Sequence, residues 1–266
     1  MKQLLILLAL LGLTACQSVR GPEIAPVLVW RDVSLVETNG PGPQVRYQVQ
    51  WPVSGGQPAL LAALQHQVLA WLQLEEGPGV ADVVRAPAEL LRRRQQAMVR
   101  TQQEDAPAQA RVVPYAEHLT VEPLFDGRGV VSLRFDQYLF TGGAHGIPAS
   151  DYAVFDRLTG QLLDLDDLVT PEARAPLTAQ IKAALRAQQR LSPDAPLSEA
   201  GFWENNIQPS QNFYLDARGL WFCYEVYEIA PYSAGRFAVC LPHAAVQSWA
   251  RPGGPLDPEW SAGEPR

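Results

Sequence analysis

Asp126-Gly127-Arg128-Gly129 stands between two strand-like runs, Tyr115 to Phe125 and Val130 to Phe140. An acid-glycine pair with a second glycine close behind is a strong hairpin signal, because tight reversals between paired strands need backbone at positive φ. The middle of the chain is therefore committed to a long antiparallel pair.

The flanking segments extend that pattern. Val27 to Glu37 alternates imperfectly, Asn39-Gly40-Pro41-Gly42-Pro43 is a turn cluster, and Val45 to Val53 is the return strand. Pro58 to Leu74 places Leu61, Leu64, Val68, Trp71 and Leu72 at three- and four-residue spacings, which predicts an amphipathic helix ended by Glu76-Gly77-Pro78-Gly79. Ala86 to Gln103 reads as a second helix, with Arg92-Arg93-Arg94 on a solvated face rather than in an anion site. Ser150 to Asp156 and Gln161 to Leu165 add two short strands around Leu158-Thr159-Gly160. Thr170-Pro171-Glu172 opens another helix, whose buried stripe is Leu177, Ile181, Ala184 and Leu185. Ser198 to Asn205 is a short helical segment, and Asn212 to Leu215 begins a closing sheet. Strands and helices in this order, without regular βαβ alternation, predict an α+β fold. Its antiparallel sheets and few packed helices are expected in two small subdomains.

The N-terminus speaks to location. Met1 and Lys2 form a short positive start, Leu4 to Leu13 is apolar, and Ala15 is a small residue before Cys16. That is the pattern of a secretory signal, and the apolar run falls short of the roughly 20 residues a membrane-spanning helix needs. Leu13-Thr14-Ala15-Cys16 resembles the bacterial lipobox, which implies lipidation of Cys16, loss of residues 1–15 and a membrane tether of acyl chains. An ordinary signal peptide with an incidental cysteine is the alternative. Gln17 replaces the aspartate associated with inner-membrane retention, so outer-membrane sorting is expected in a Gram-negative host. Residues 16–26 form the tether, 27–112 an N-terminal α+β domain, 113–250 a C-terminal α+β domain, and 251–266 a disordered tail.

Of 266 residues, 47% are hydrophobic and 18% charged, which describes a globular chain. Without Lys2, 20 basic and 28 acidic residues remain, a net charge of −8. Nucleic acid is thereby disfavoured as a partner, as is an electrostatic grip on anionic lipid. Outside the cytoplasm, Cys223 and Cys240 can form a disulfide. If Cys223 faces Cys240, Phe222 faces Leu241, Tyr224 faces Val239 and Val226 faces Phe237, with apolar pairs on one face and both cysteines on the other. A cross-strand disulfide is the first reading; two buried thiols packing as small hydrophobes are the second.

Two strings are candidates for a site. In Thr141-Gly142-Gly143-Ala144-His145-Gly146, Gly142 and Gly143 free the backbone to bind an anion or to bring His145 to a ligand. A tight inter-strand connection is the simpler reading. In Tyr224 to Gly235, Pro231 and Gly235 suit a bend, and Tyr227 or Tyr232 can cap the sheet with a buried ring and a wet hydroxyl. Glu228 either accepts backbone N–H groups of the bend or meets a cation or sugar hydroxyl. Asp164-Leu165-Asp166-Asp167 lacks the glycine and terminal acid of a calcium loop and reads as a strand-to-helix connection. His-Glu-x-x-His, nucleophile-elbow and phosphate-loop motifs are absent, so no metal and no cofactor are implied.

Taken in order, these motifs resemble the RsiV-type extracytoplasmic domain. They are the Gly-Gly-Ala-His loop, Phe155 with Gly160, Leu163-x-Leu165-x-Asp167-Leu168, Asn212-Phe213-x-Leu215, Gly219-Leu220-x-Phe222, and Tyr227-Glu228-Ile229-Ala230-Pro231-Tyr232-x-x-Gly235. The resemblance spans roughly Tyr115 to Val246, and Val27 to Leu74 is more weakly similar to the domain that often precedes it. It implies an α+β domain in the cell envelope, in a family named for a lysozyme-sensing anti-sigma factor, and no established reaction. Gly142, Gly143, His145, Tyr227, Glu228, Pro231, Tyr232 and Gly235 carry over as signatures. The expectation is a lipid-anchored, periplasm-facing, non-catalytic domain that binds peptidoglycan fragments or a lysozyme-like protein. The alternatives are an envelope hydrolase using His145 and Glu228, and a structural lipoprotein of an envelope complex.

Overall fold

Arg128 and Gly129 both adopt positive φ, 47° and 66°. They close the two-residue turn that best matches the twist of paired strands. The computed structural model describes residues 27–37, 44–73, 92, 95, 96, 100 and 115–257. The lipobox with Cys16, the tether, the 39–43 turn and the 76–79 breaker lie outside the described residues. So does the second helix, apart from four positions that are helical.

Six strands form the larger sheet: β1 (Val29–Glu37), β2 (Gln44–Ser54), β3 (Ala116–Gly127), β4 (Val130–Phe140), β5 (Ile147–Asp156) and β6 (Leu162–Leu163), in that spatial order. Neighbours are antiparallel except β2 and β3, which run parallel with Val45 beside Glu117 and Val49 beside Val121. The boundary expected near residue 112 thus falls between two hydrogen-bonded strands of one sheet.

Both faces of this sheet are covered over part of its width. On one face lies α1 (Pro58–Trp71). Leu60, Leu64, Val68 and Leu69 pack there against Tyr47, Trp51, Leu133, Phe135 and Phe155. The helix is turned slightly from its expected orientation: Leu60 and Leu69 are buried, whereas Leu61 and Trp71 are only half-buried. The Trp71 indole instead donates to the Asp151 carboxylate at 3.2 Å and rests against Phe135.

The second core occupies the opposite face, at the β4–β6 end. It joins Val130, Val154 and Leu163 to α2 (Leu165–Leu168), α3 (Arg174–Gln188) and a smaller sheet. That sheet is antiparallel: β7 (Phe213–Leu215), β8 (Gly219–Tyr224) and β9 (Phe237–Pro242), followed by α4 (His243–Val246). Leu177, Ile181 and Leu185 are buried as expected, and Ala184 packs at the margin. Asp164 and Asp167 cap α2 reciprocally, each carboxylate accepting the other's N–H, so the acidic string is a strand-to-helix connection. Val130, Val131, Ser132 and Leu133 are all 0% exposed, because successive side chains of β4 enter different cores. The Ser132 hydroxyl donates to the Leu215 carbonyl at 2.8 Å, tying the two sheets together.

Two expectations are corrected here. Cys223 lies opposite Ala238 and Cys240 opposite Trp221, two residues away from the expected register, and both thiols are free. The Glu228 carboxylate takes the Glu225 N–H at 2.8 Å, and the Glu225 carbonyl takes the Glu228 N–H at 3.1 Å. This turn ends β8 before Val226 can pair. Diagonal neighbours on a sheet sit roughly 7–8 Å apart, beyond the reach of a disulfide. Residues 251–257, expected within a disordered tail, are packed. The Arg251 N–H donates to the Leu168 carbonyl at 2.8 Å, its guanidinium binds the Asp166 carbonyl, and Leu256 is buried.

Among the described residues, no helix is long and apolar enough to cross a membrane.

Candidate functional site

The sheet face opposite α1 carries the candidate residues. Strand register lays its outward side chains in rows: Arg46, His118, Tyr138 and Pro148 in one, and Ser34, Gln48, Thr120, Asp136 and Ser150 in the next. The β8–β9 loop leans over the β5 end of these rows.

The loop from 141 to 146 joins β4 to β5, with Gly142 at φ 89° and Gly142 and Gly143 exposed. Across 86 residues of sequence, the Tyr232 hydroxyl donates to the Gly146 carbonyl at 2.7 Å. His145 lies flat on the Tyr232 ring, with centroids 4.0 Å apart, and its Nδ1 is 3.1 Å from the same carbonyl. Tyr227 is tilted against Tyr232, 5.5 Å away, and is 56% exposed. Gly146 leaves room for Tyr138: a Cβ there would come within 2.3 Å of the tyrosine ring. Tyr138 in turn meets His118 at 5.5 Å. His118 and Tyr138 on the large sheet, and His145, Tyr232 and Tyr227 at the β8–β9 loop, are two ring clusters that meet at Gly146 and together make an aromatic band. Burial and the nearby Arg46 guanidinium hold the His118 pKa below its ordinary value.

Tyr227 has φ 69°, a backbone region unfavourable for a bulky side chain. The Glu225–Glu228 turn imposes it, so the tight turn and the outward tyrosine come together. Glu228 thereby has the simpler of its two expected roles, as acceptor for the bend.

Beneath the band lies a polar network that the sequence did not reveal. The Glu225 carboxylate accepts the Ser150 N–H at 3.0 Å, and the Arg236 guanidinium donates to the Ser150 hydroxyl, which donates to Asp136. The two ends of the loop thus converge on one serine. Asn212 adds a two-sided clamp on β5, accepting the Tyr152 N–H at 3.0 Å and donating to the Ser150 carbonyl at 2.6 Å. Arg134 pairs with Asp136 at 3.0 Å and also with Glu122. The second Glu225 oxygen is buried without a hydrogen-bond partner among the described residues. Desolvation raises the Glu225 pKa above the ordinary carboxylate range. Burial pushes the Cys223 thiol up to about 12, which removes it as a nucleophile near neutral pH.

These contacts determine the chemistry available. His145 and Glu228, the candidate acid–base pair, are engaged separately, with the Gly146 carbonyl and the Glu225 N–H, and no hydrogen bond joins them among the described residues. Among those residues, no group of three or more His, Cys, Asp or Glu side chains is placed to hold a metal. What the site offers is an aromatic surface on a hydrogen-bonded base.

Residues 166–244 match the family described as protein of unknown function, DUF3298. The matched segment runs from α2 into α4 and includes Asn212, Glu225, Glu228, Tyr232 and Arg236, while the 141–146 loop lies before it. A solved DUF3298 member from Bacteroides fragilis superposes with a TM-score of 0.64 at 21% identity, covering 85% of this chain and 94% of that one. A second, from Pseudomonas aeruginosa, gives 0.58 at 20% identity, covering 88% and 97%. At such identities these likenesses show the fold alone. No curated protein matches the sequence.

Proposed function

We propose that this chain is a lipid-anchored, non-catalytic binding module of the bacterial cell envelope. It is held at a membrane through Cys16, faces the periplasm, and captures a secreted, basic, lysozyme-like protein. The aromatic band carries this reading. An exposed Tyr227, held by a strained turn and backed by Tyr232 and His145, is a costly arrangement without an evident packing purpose. Tyrosine and histidine rings with wet polar edges suit a protein interface, where large rings contribute contact area at little entropic cost. The net charge of −7, or −8 once Lys2 is removed, favours encounter with a basic partner. The resemblance to RsiV-type domains supports the same class of partner by analogy.

Both halves of the reading are open to test. The intact chain should partition with membranes and incorporate labelled palmitate, and C16S should be recovered soluble; equal partitioning of the two overturns the anchor. Soluble protein beginning at Gln17 should bind hen lysozyme saturably by calorimetry. Replacing Tyr227 and Tyr232 with alanine should weaken that binding about tenfold or more, as loss of central aromatics does at interfaces. Absence of a complex overturns the partner.

A further inference from the structure

The outer face of the large sheet changes character along its rows. Towards β5, Glu122, Arg134, Asp136, Ser150 and Arg236 are joined by ion pairs and hydrogen bonds. Towards β1, a concavity of about 370 Å³ opens between Asp32, Ser34, Gln48, Gln50, Thr120 and Glu122. There the side chains of Asp32, Ser34, Gln48, Gln50 and Thr120 make no hydrogen bond among the described residues. Two amides, two hydroxyls and a carboxylate thus project unpaired from three adjacent strands into one depression.

We propose that this depression binds a neutral oligosaccharide, at a site that adjoins the protein-capturing band only through Tyr138. The lining offers donors and acceptors in close alternation, since each amide and hydroxyl is both. A ligand satisfying them must itself carry densely spaced hydroxyl or amide groups. Asp32 and Glu122 line the depression and disfavour anionic chains, and Arg134 is already occupied by Glu122 and Asp136. Beside the depression, in the neighbouring row, stands Tyr138, 36% exposed and tilted against His118. Its ring can cover the apolar face of a sugar. From β1 to β3 the depression spans two strand spacings, about 10 Å. That length accommodates about two rings of a chain rather than one.

The test uses soluble protein beginning at Gln17 with chitotetraose and cellotetraose as probes, read by calorimetry and by saturation-transfer NMR. Saturable binding of either probe is expected. The double variant Q48A/Q50A should weaken it about tenfold, by loss of two side chains' hydrogen bonds. Thr120→Val on the same floor should weaken it less, and Y227A should leave it unchanged while reducing lysozyme binding. Circular dichroism and melting temperature confirm that these surface variants fold. Failure to bind either probe, equal binding by Q48A/Q50A and wild type, or binding of an extended peptide in place of both probes overturns the proposal. Each of these outcomes leaves the reading of the aromatic band untouched.

Discussion

Two residues, Arg128 and Gly129, turn β3 into β4, whereas the twelve from Glu225 to Arg236 separate β8 from β9. The short turn sets strand register through backbone geometry and presents nothing to solvent but one arginine. The long one sets its register by an internal turn and by fastening both ends to Ser150, and it displays Tyr227 and Tyr232. Structural economy and surface chemistry are thus separated between two hairpins of one chain. A loop that carries side chains for binding needs its own hydrogen-bonded foundation, and that foundation comes from a neighbouring strand.

The contrast can be broken by mutation. If packing rather than the loop holds β8 and β9 together, Phe222→Ala should be the most damaging change. Phe222 is 0% exposed between Phe213 and Val239, so a loss of about 3–5 kcal/mol is expected in denaturant melts. A loss below about 1 kcal/mol would mean that the loop, not the core, fastens this hairpin. Gly129→Val should cost about 2 kcal/mol, since a β-branched residue resists positive φ; an unchanged melt would show that the β3–β4 register is set elsewhere. At Tyr227 the sign should reverse. Y227G relieves the strained φ and should stabilise by about 1 kcal/mol while weakening partner binding. Reduced stability would make the tyrosine a packing residue instead.

Glu225→Gln should have the smallest effect, and one that depends on pH. Burial raises the Glu225 pKa in the folded state. Its stabilising contribution is therefore complete below the ordinary carboxylate value of about 4.3 and is lost as pH rises through the folded value. The glutamine keeps an acceptor for the Ser150 N–H and never ionises. E225Q should melt above wild type at pH 7, and the gap should close towards pH 4. A gap that widens on acidification would reverse the assigned sign.

Where local chemistry decided the structure, the sequence was readable. Asp126 to Gly129 announced the β3–β4 turn, Leu177, Ile181 and Leu185 marked the buried stripe of α3, and Asp164 and Asp167 formed the expected connection. Reading failed where distant partners decided it. Pro231 and Gly235 looked like the bend between β8 and β9, with Val226 still paired to Phe237, but the Glu225–Glu228 turn had already ended the strand, and every pair moved by two. His145 and Tyr232 were each visible as unusual residues. Their stacking, and the parts played by Tyr138, Ser150 and Glu225, depend on a sheet-to-sheet contact that no local pattern encodes. The run Val130-Val131-Ser132-Leu133 held one unread clue, because burial at successive positions of a strand requires cover on both faces.

The parallel seam between β2 and β3 has a consequence for the order of assembly. Its partners, such as Val49 and Val121, are 72 residues apart. The loop-length term alone makes closing that distance cost about 4 kcal/mol before any contact repays it. The β1–β2 and β3–β4 hairpins close over much shorter spans, so we expect them to form first and the seam to zip late. V49A should then mainly speed unfolding and L133A mainly slow folding; the opposite pattern would place the seam in the nucleus. Until it closes, β2 and β3 each expose an unpaired edge, and that interval is when the chain is most open to pairing with a copy of itself.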